Sequence, residues 1–110
     1  MSSSLKVAVF GGGSWATAIV KMLSENLATV GWYMRSNISI DYIKENKHNP
    51  NYLSSAEFDV NQLFLSDDID EMVAYADVLI FVIPSAFLMS ELSKINQSLA
   101  SKTIFSAIKG

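Results

Sequence analysis

The sequence predicts an α/β fold, an open and mainly parallel sheet with helices on both faces, and three observations carry that prediction. Short apolar runs alternate with segments of helical apolar spacing along the whole chain. The first apolar run passes through three successive glycines straight into the first helical segment. The most apolar run, Val78 to Ile83, is stopped abruptly by Pro84-Ser85, as a strand buried on both faces of a parallel sheet would be.

Taken in order, Leu5 to Phe10 reads as the first strand because it is apolar with little alternation. Ala16 to Leu27 follows as a helix, with Ala16, Ile19, Val20, Leu23 and Leu27 recurring at the spacing of one helix face. Thr29 to Met34 is the second strand, closed by the polar Arg35-Ser36, and Ile38 to Glu45 is a short helix. Asn46 to Ser55 is loop by its Asn, Pro and Ser content. Leu63 to Leu65 is a short strand, and Ser66-Asp67-Asp68 supplies the start of a helix over Ile69 to Tyr75. Asp77 to Ile83 is the central strand, Ala86 to Leu99 a helix with Phe87, Leu88, Leu92, Ile95 and Leu99 on its apolar side, and Thr103 to Ile108 a last strand.

The turn Gly11-Gly12-Gly13-Ser14-Trp15-Ala16 has the pattern G-x-G-x-x-G/A, with Gly11, Gly13 and Ala16 at its three small positions. The first glycine allows a tight turn, the second lets the backbone approach a pyrophosphate, and the third position keeps helix and strand close. The helix it opens would aim its unpaired N–H groups and positive dipole end at the phosphates. The fold expected is therefore the Rossmann type, doubly wound, in which ligands lie at the carboxyl ends of the strands. That edge would collect four separated stretches, residues 11–15, 34–36, 83–87 and 107–110.

Composition narrows the alternatives. With 110 residues, half of them apolar, the chain can bury one core without staples, so residues 1–110 form one domain with no room for a second. The net charge of −3 comes from scattered acids, and no Lys/Arg cluster could track a nucleic acid or an anionic membrane. The absence of cysteine removes disulfides, thiol catalysis and cysteine metal sites, and is compatible with a cytosolic setting. Met1 to Ser4 is too short and polar for a signal peptide, and no apolar run approaches the roughly 20 residues of a membrane helix.

The cofactor is read from the end of the second strand. NAD-binding versions of this fold place there an acid for the ribose 2′-hydroxyl, whereas an arginine accommodates the 2′-phosphate of NADP. This chain has Arg35 and no acid before Asp41, which favours NADP(H) over NAD(H). Two plainer readings stand beside it: Arg35 as a solvated cation, or stacked on adenine so that both cofactors serve. Core packing is the plainer alternative for Trp15 and for Phe87, and a lone His48 on a polar loop reads as solvated. Tyr52 more simply pins that loop onto the domain.

Five motifs in order resemble one family. Gly11-Gly12-Gly13-Ser14-Trp15-Ala16-Thr17-Ala18, Tyr33-Met34-Arg35, Asn49-Pro50-Asn51-Tyr52-Leu53, Val82-Ile83-Pro84-Ser85 and Ser106-Ala107-Ile108-Lys109-Gly110 match its patterns G-x-G-S-W-G-T-A, W-x-R, N-x-x-Y-L, V-P-S and S-x-x-K-G. The chain is thereby similar to NAD(P)-dependent sn-glycerol-3-phosphate dehydrogenase, with Ala16 standing where that family usually has glycine. The resemblance implies reversible hydride transfer between NAD(P)H and dihydroxyacetone phosphate, giving sn-glycerol 3-phosphate for phospholipid synthesis in the cytoplasm. It also implies that Gly11, Gly12, Gly13, Ser14, Trp15 and Ala16 hold the cofactor at the pyrophosphate turn and that Arg35 sits at the adenosine end. Phe87 would pack near the nicotinamide half, and Lys109 would reach both cofactor and substrate.

Members of that family carry a further helical domain that supplies the lysine acting as general acid. No catalytic residue is therefore expected within this chain, which would bind NADP(H) weakly and turn nothing over by itself. The apolar last strands would meet that missing domain, and a homodimer is compatible with them. Two other readings share the front half of the sequence. One is a different two-domain NADP reductase, of the 6-phosphogluconate, hydroxyisobutyrate or ketopantoate type; the other is a non-catalytic module that senses NADPH.

Overall fold

The computed structural model describes residues 5–47 and 58–107. Five strands form a single parallel sheet in the order β3-β2-β1-β4-β5: β1 (Val7–Phe10), β2 (Val30–Tyr33), β3 (Leu63–Ser66), β4 (Val78–Phe81) and β5 (Thr103–Ser106). Among the described residues four helices connect them: α1 (Ser14–Ser24), α2 (Asn37–Asn46), α3 (Ile69–Tyr75) and α4 (Ser85–Leu92). A short 3₁₀ turn, Val60–Gln62, leads into β3. The strand order reverses between β1 and β4, so the crevice beside their carboxyl ends is the switch point of the sheet.

The period-two alternation of the strands sorts the core into two layers. Val9 of β1 and Val30 and Trp32 of β2 join Ala16 and Val20 of α1 and Ile40 and Ile43 of α2 on one face. Ala8 and Phe10, Tyr33, and Leu79 and Phe81 join Ile69, Met72 and Val73 of α3 on the other, with Leu88 and Leu92 of α4 packed against them. All four residues of β1 are buried, as its unbroken apolar run predicts for a central strand covered on both faces. At Gly31 a Cβ would come within 2.6 Å of Met72 Sδ and 2.8 Å of a Tyr75 ring carbon, so a side chain there would wedge α3 away from β2.

Helix starts follow local chemistry. Ser36 accepts from the Ser39 N–H at 3.2 Å to begin α2, and Asp68 accepts from the Asp70 and Glu71 N–H groups to begin α3. The last helix departs from the expectation of residues 86–99, since α4 ends at Leu92. Beyond it the Asn96 N–H and side-chain amide both bond to the Asp70 carboxylate, at 2.8 and 2.9 Å, and the Gln97 amide donates to the Asp70 carbonyl at 2.8 Å. These polar anchors divert the chain while Ile95 and Leu99 still reach the α3 layer. Apolar spacing was kept by an irregular segment crossing the same face, which is why it reads as helix.

Candidate functional site

The glycine turn is held from three sides. Gly11 N–H donates to the Tyr33 carbonyl at 3.0 Å, the buried Trp32 indole N–H donates to the Gly11 carbonyl at 2.7 Å, and Val82 N–H donates to the Phe10 carbonyl at 2.9 Å. Gly11 has φ +144°, and a Cβ there would lie 2.5 Å from the Val82 carbonyl oxygen, so this position excludes every side chain. Gly13 is different. Its φ of −81° is open to any residue, and a Cβ there would meet no protein atom within 4 Å. Nothing in the protein demands a glycine at 13, so the space left bare belongs to the cleft that Gly13 lines.

Gly13 is also the N-cap of α1 and, having no side chain, makes no cap of the kind that Ser36 and Asp68 make for α2 and α3. Its first turn carries no acidic residue. An eleven-residue helix thus directs its positively polarised end to the cleft. Ala16, fully buried, brings α1 down on β1, as the third small position of the motif requires.

The cleft has a volume of about 910 Å³ and lies along the carboxyl edge of the sheet. Gly11, Gly12, Gly13, Ser14, Trp15, Ala16, Arg35 and Phe87, all named from the sequence, line it together with Pro84 and Ala107. Three of the four stretches expected to converge are thus present, and Ala107 represents the fourth. Lys109, His48, Tyr52 and the rest of the Asn49 to Leu53 motif lie outside the described residues. Trp15 is 56% and Phe87 46% exposed, so neither serves as a core residue. The Arg35 guanidinium lies 5.0 Å from the Phe87 ring centroid, a cation–π contact joining the end of β2 to the first turn of α4.

Glu91 and Lys94 also line the cleft but escape a reading of the sequence, which gives Tyr33 no role beyond its place in the Tyr33-Met34-Arg35 motif. Glu91 is fully buried; one carboxylate oxygen accepts from the Tyr33 hydroxyl and the other from Lys94 Nζ at 2.8 Å. Tyr33 and Glu91 are 58 residues apart, and no local pattern marks the pair. Burial first, then the Glu91 hydrogen bond and charge, push the Tyr33 phenol far above its ordinary range, so it remains a neutral donor. Burial opposes ionisation of Glu91, but the Lys94 and Tyr33 hydrogen bonds and the charges of Lys94 and Arg35 outweigh it and hold the carboxyl below its usual range.

That depression has a defined pH consequence. A carboxyl whose folded value lies below its unfolded value contributes stability that is complete above the unfolded value of about 4.3 and fades as pH falls through the folded one. Glu91→Gln should therefore cost about 1–3 kcal/mol at pH 7, with the gap to the parent closing below about pH 4. Thermal unfolding of both proteins between pH 3 and 7 checks this, and a gap independent of pH would refute it. Asp70, lowered by Gln97 and Asn96, adds acid sensitivity of the same sign that remains in the variant.

No helix among the described residues is long and apolar enough to cross a membrane, and they hold no cluster of three metal-ligating side chains. A glycine turn feeding a helix, at the switch point of a parallel sheet ordered 3-2-1-4-5, defines the Rossmann class of dinucleotide-binding domains. Within that class the chain matches, over residues 6–110, the family described as NAD-dependent glycerol-3-phosphate dehydrogenase N-terminus, and it belongs to that family.

A glycerol-3-phosphate dehydrogenase [NAD(P)+] of Staphylococcus aureus is 31% identical over 100 residues, covering 91% of this chain and 30% of the relative. The glycerol-3-phosphate dehydrogenase structure of Plasmodium falciparum superposes with a TM-score of 0.79 at 26% identity, over 93% of this chain and 31% of that one. That of Coxiella burnetii superposes with a TM-score of 0.81 at 22% identity, over 97% and 33%, and shows the shared fold. The chain spans about a third of the length of these relatives.

Proposed function

We propose that residues 1–110 are the dinucleotide-binding domain of a cytoplasmic glycerol-3-phosphate dehydrogenase, whose substrate domain would follow in the chain. The bare space at Gly13, before the start of α1, is the observation that supports a dinucleotide here, because the protein itself does not require a glycine at that position and a pyrophosphate would, and membership of the family supports the enzyme. In this reading Gly11, Gly12, Gly13, Ser14, Trp15 and Ala16 form the pyrophosphate turn. Arg35 takes the adenosine end and favours NADP(H), with NAD(H) still usable. Phe87, in contact with Arg35, is assigned to that adenosine side in place of the nicotinamide half. Lys109 would reach cofactor and substrate.

When bound, the nicotinamide supplies or accepts the hydride exchanged with dihydroxyacetone phosphate or sn-glycerol 3-phosphate. The residues of this chain bind and orient; the general acid would come from the following domain, so the 110 residues alone should not turn substrate over. Titration calorimetry with NADPH and NADH tests the cofactor assignment. Arg35→Ala should weaken NADPH by roughly tenfold or more and NADH by much less, whereas an unchanged NADPH affinity would remove Arg35 from the site. Oxidation of NADPH dependent on dihydroxyacetone phosphate, assayed in the full-length protein, tests the reaction.

A further inference from the structure

Phe87 and Glu91 lie one turn apart on α4, Lys94 lies in the turn that follows it, and all three line the cleft. They meet it beside the end of β2. Phe87 carries the Arg35 guanidinium, Glu91 receives the Tyr33 hydroxyl, and Lys94 lines the same cleft with its side chain 52% exposed. A fully buried carboxylate is costly unless its lone pairs are matched, and here Tyr33 and Lys94 take one oxygen each. Glu91, fully buried behind Tyr33 and Lys94, offers no exposed oxygen and cannot serve as the acid that grips a ribose 2′-hydroxyl in NAD-selective sites.

Lys94 remains available. Glu91 takes one of its three ammonium donors, and the half-exposed head retains two for the cleft. The bond to Glu91 holds a long side chain in one direction, so less rotamer entropy remains to be lost on binding a ligand. Among the residues lining the cleft, Arg35, Lys94 and Glu91 leave one net positive charge at this end, facing the place where the fold puts the adenosine ribose, with the Asp67 carboxylate near enough to act on Tyr33. A phosphate monoester brings between one and two negative charges there at neutral pH.

We infer that Lys94 is a second cation of a 2′-phosphate subsite, opposite Arg35, and that Tyr33 and Glu91 are the positioning residues that hold it there. This rests on reading the cleft as a dinucleotide site. It makes NADP preference a property of two walls, the end of β2 and the side of α4, and not of one arginine.

Calorimetry with 2′,5′-ADP and 5′-AMP, which differ only in the 2′-phosphate, tests it. Lys94→Gln should weaken 2′,5′-ADP by roughly tenfold and leave 5′-AMP within about twofold, while Lys94→Arg should restore 2′,5′-ADP to within about threefold. Tyr33→Phe should lower the ratio of the two affinities by roughly threefold, a change that a purely structural tyrosine would not produce. In the unaltered protein, acetylation of Lys94 followed by peptide mass should be slowed by 2′,5′-ADP and not by 5′-AMP, which holds even where a variant folds poorly. Equal losses for both ligands in Lys94→Gln, or equal protection by both, would overturn the assignment of Lys94, and an unchanged ratio in Tyr33→Phe would overturn the positioning role. Binding of neither probe by the parent would overturn the dinucleotide reading itself, and this inference with it.

Discussion

Gly11→Ala is expected to unfold the turn. The new methyl would sit 2.5 Å from the Val82 carbonyl oxygen, which is backbone of the neighbouring strand extension and cannot swing aside as a side chain could. The φ of +144° adds a conformational cost, because that region is almost closed to residues with a Cβ. Strain and overpacking of about 1–3 kcal/mol each give a loss of about 2–6 kcal/mol, a large share of the 5–15 kcal/mol typical of a domain. The Trp32 indole bond to the Gly11 carbonyl would be displaced in the same movement. Thermal unfolding should show the midpoint falling by about 10 °C or more, and a fall of only a degree or two would mean that the turn relaxes at little cost.

Gly13→Ala should do the reverse, sparing the fold and removing the ligand. The backbone at 13 suits an alanine, and no protein atom lies within 4 Å of the added methyl. Alanine is a poorer N-cap than glycine, but it also narrows the unfolded ensemble, and these opposed effects leave stability within about 1 kcal/mol. A phosphate must approach the turn to hydrogen-bond distance, about 2.7–3.2 Å between heavy atoms, and the methyl stands in its path. NADPH affinity should fall by at least roughly tenfold, read by calorimetry beside an unfolding curve that scarcely moves. Affinity within twofold of the parent would show that no phosphate lies against Gly13. The two substitutions, two residues apart, thus separate a glycine that the fold needs from one that the ligand needs.

Comparison of sequence and structure shows where local information ends. The strand, glycine turn and helix at the start of the chain were legible because each depends on near neighbours: an unbroken apolar run, residues without Cβ, and apolar spacing along one face. The eight described residues proposed from the sequence, Gly11 to Ala16 with Arg35 and Phe87, line the cleft, but Glu91 and Lys94, which line it too, went unnamed. The overlong reading of α4 failed because Ile95 and Leu99 keep helical spacing after the Asp70 anchors have ended the helix. Trp32, which bonds the Gly11 carbonyl, gave no signal, since a tryptophan in a strand reads as core and its N–H partner is 21 residues away.

By itself, then, the amino-acid sequence determined the order of elements, the cradle of Gly11 to Ala16 and the presence of Arg35 at the end of β2, all consequences of backbone preference and short-range periodicity. Only the tertiary structure decided the strand order 3-2-1-4-5, the contact of Arg35 with Phe87, and the Tyr33–Glu91–Lys94 set behind them. Those depend on which side of α4 meets β2 across the switch point. A buried carboxylate finds its partners by the packing of distant elements, and the sequence around it carries no trace of that choice.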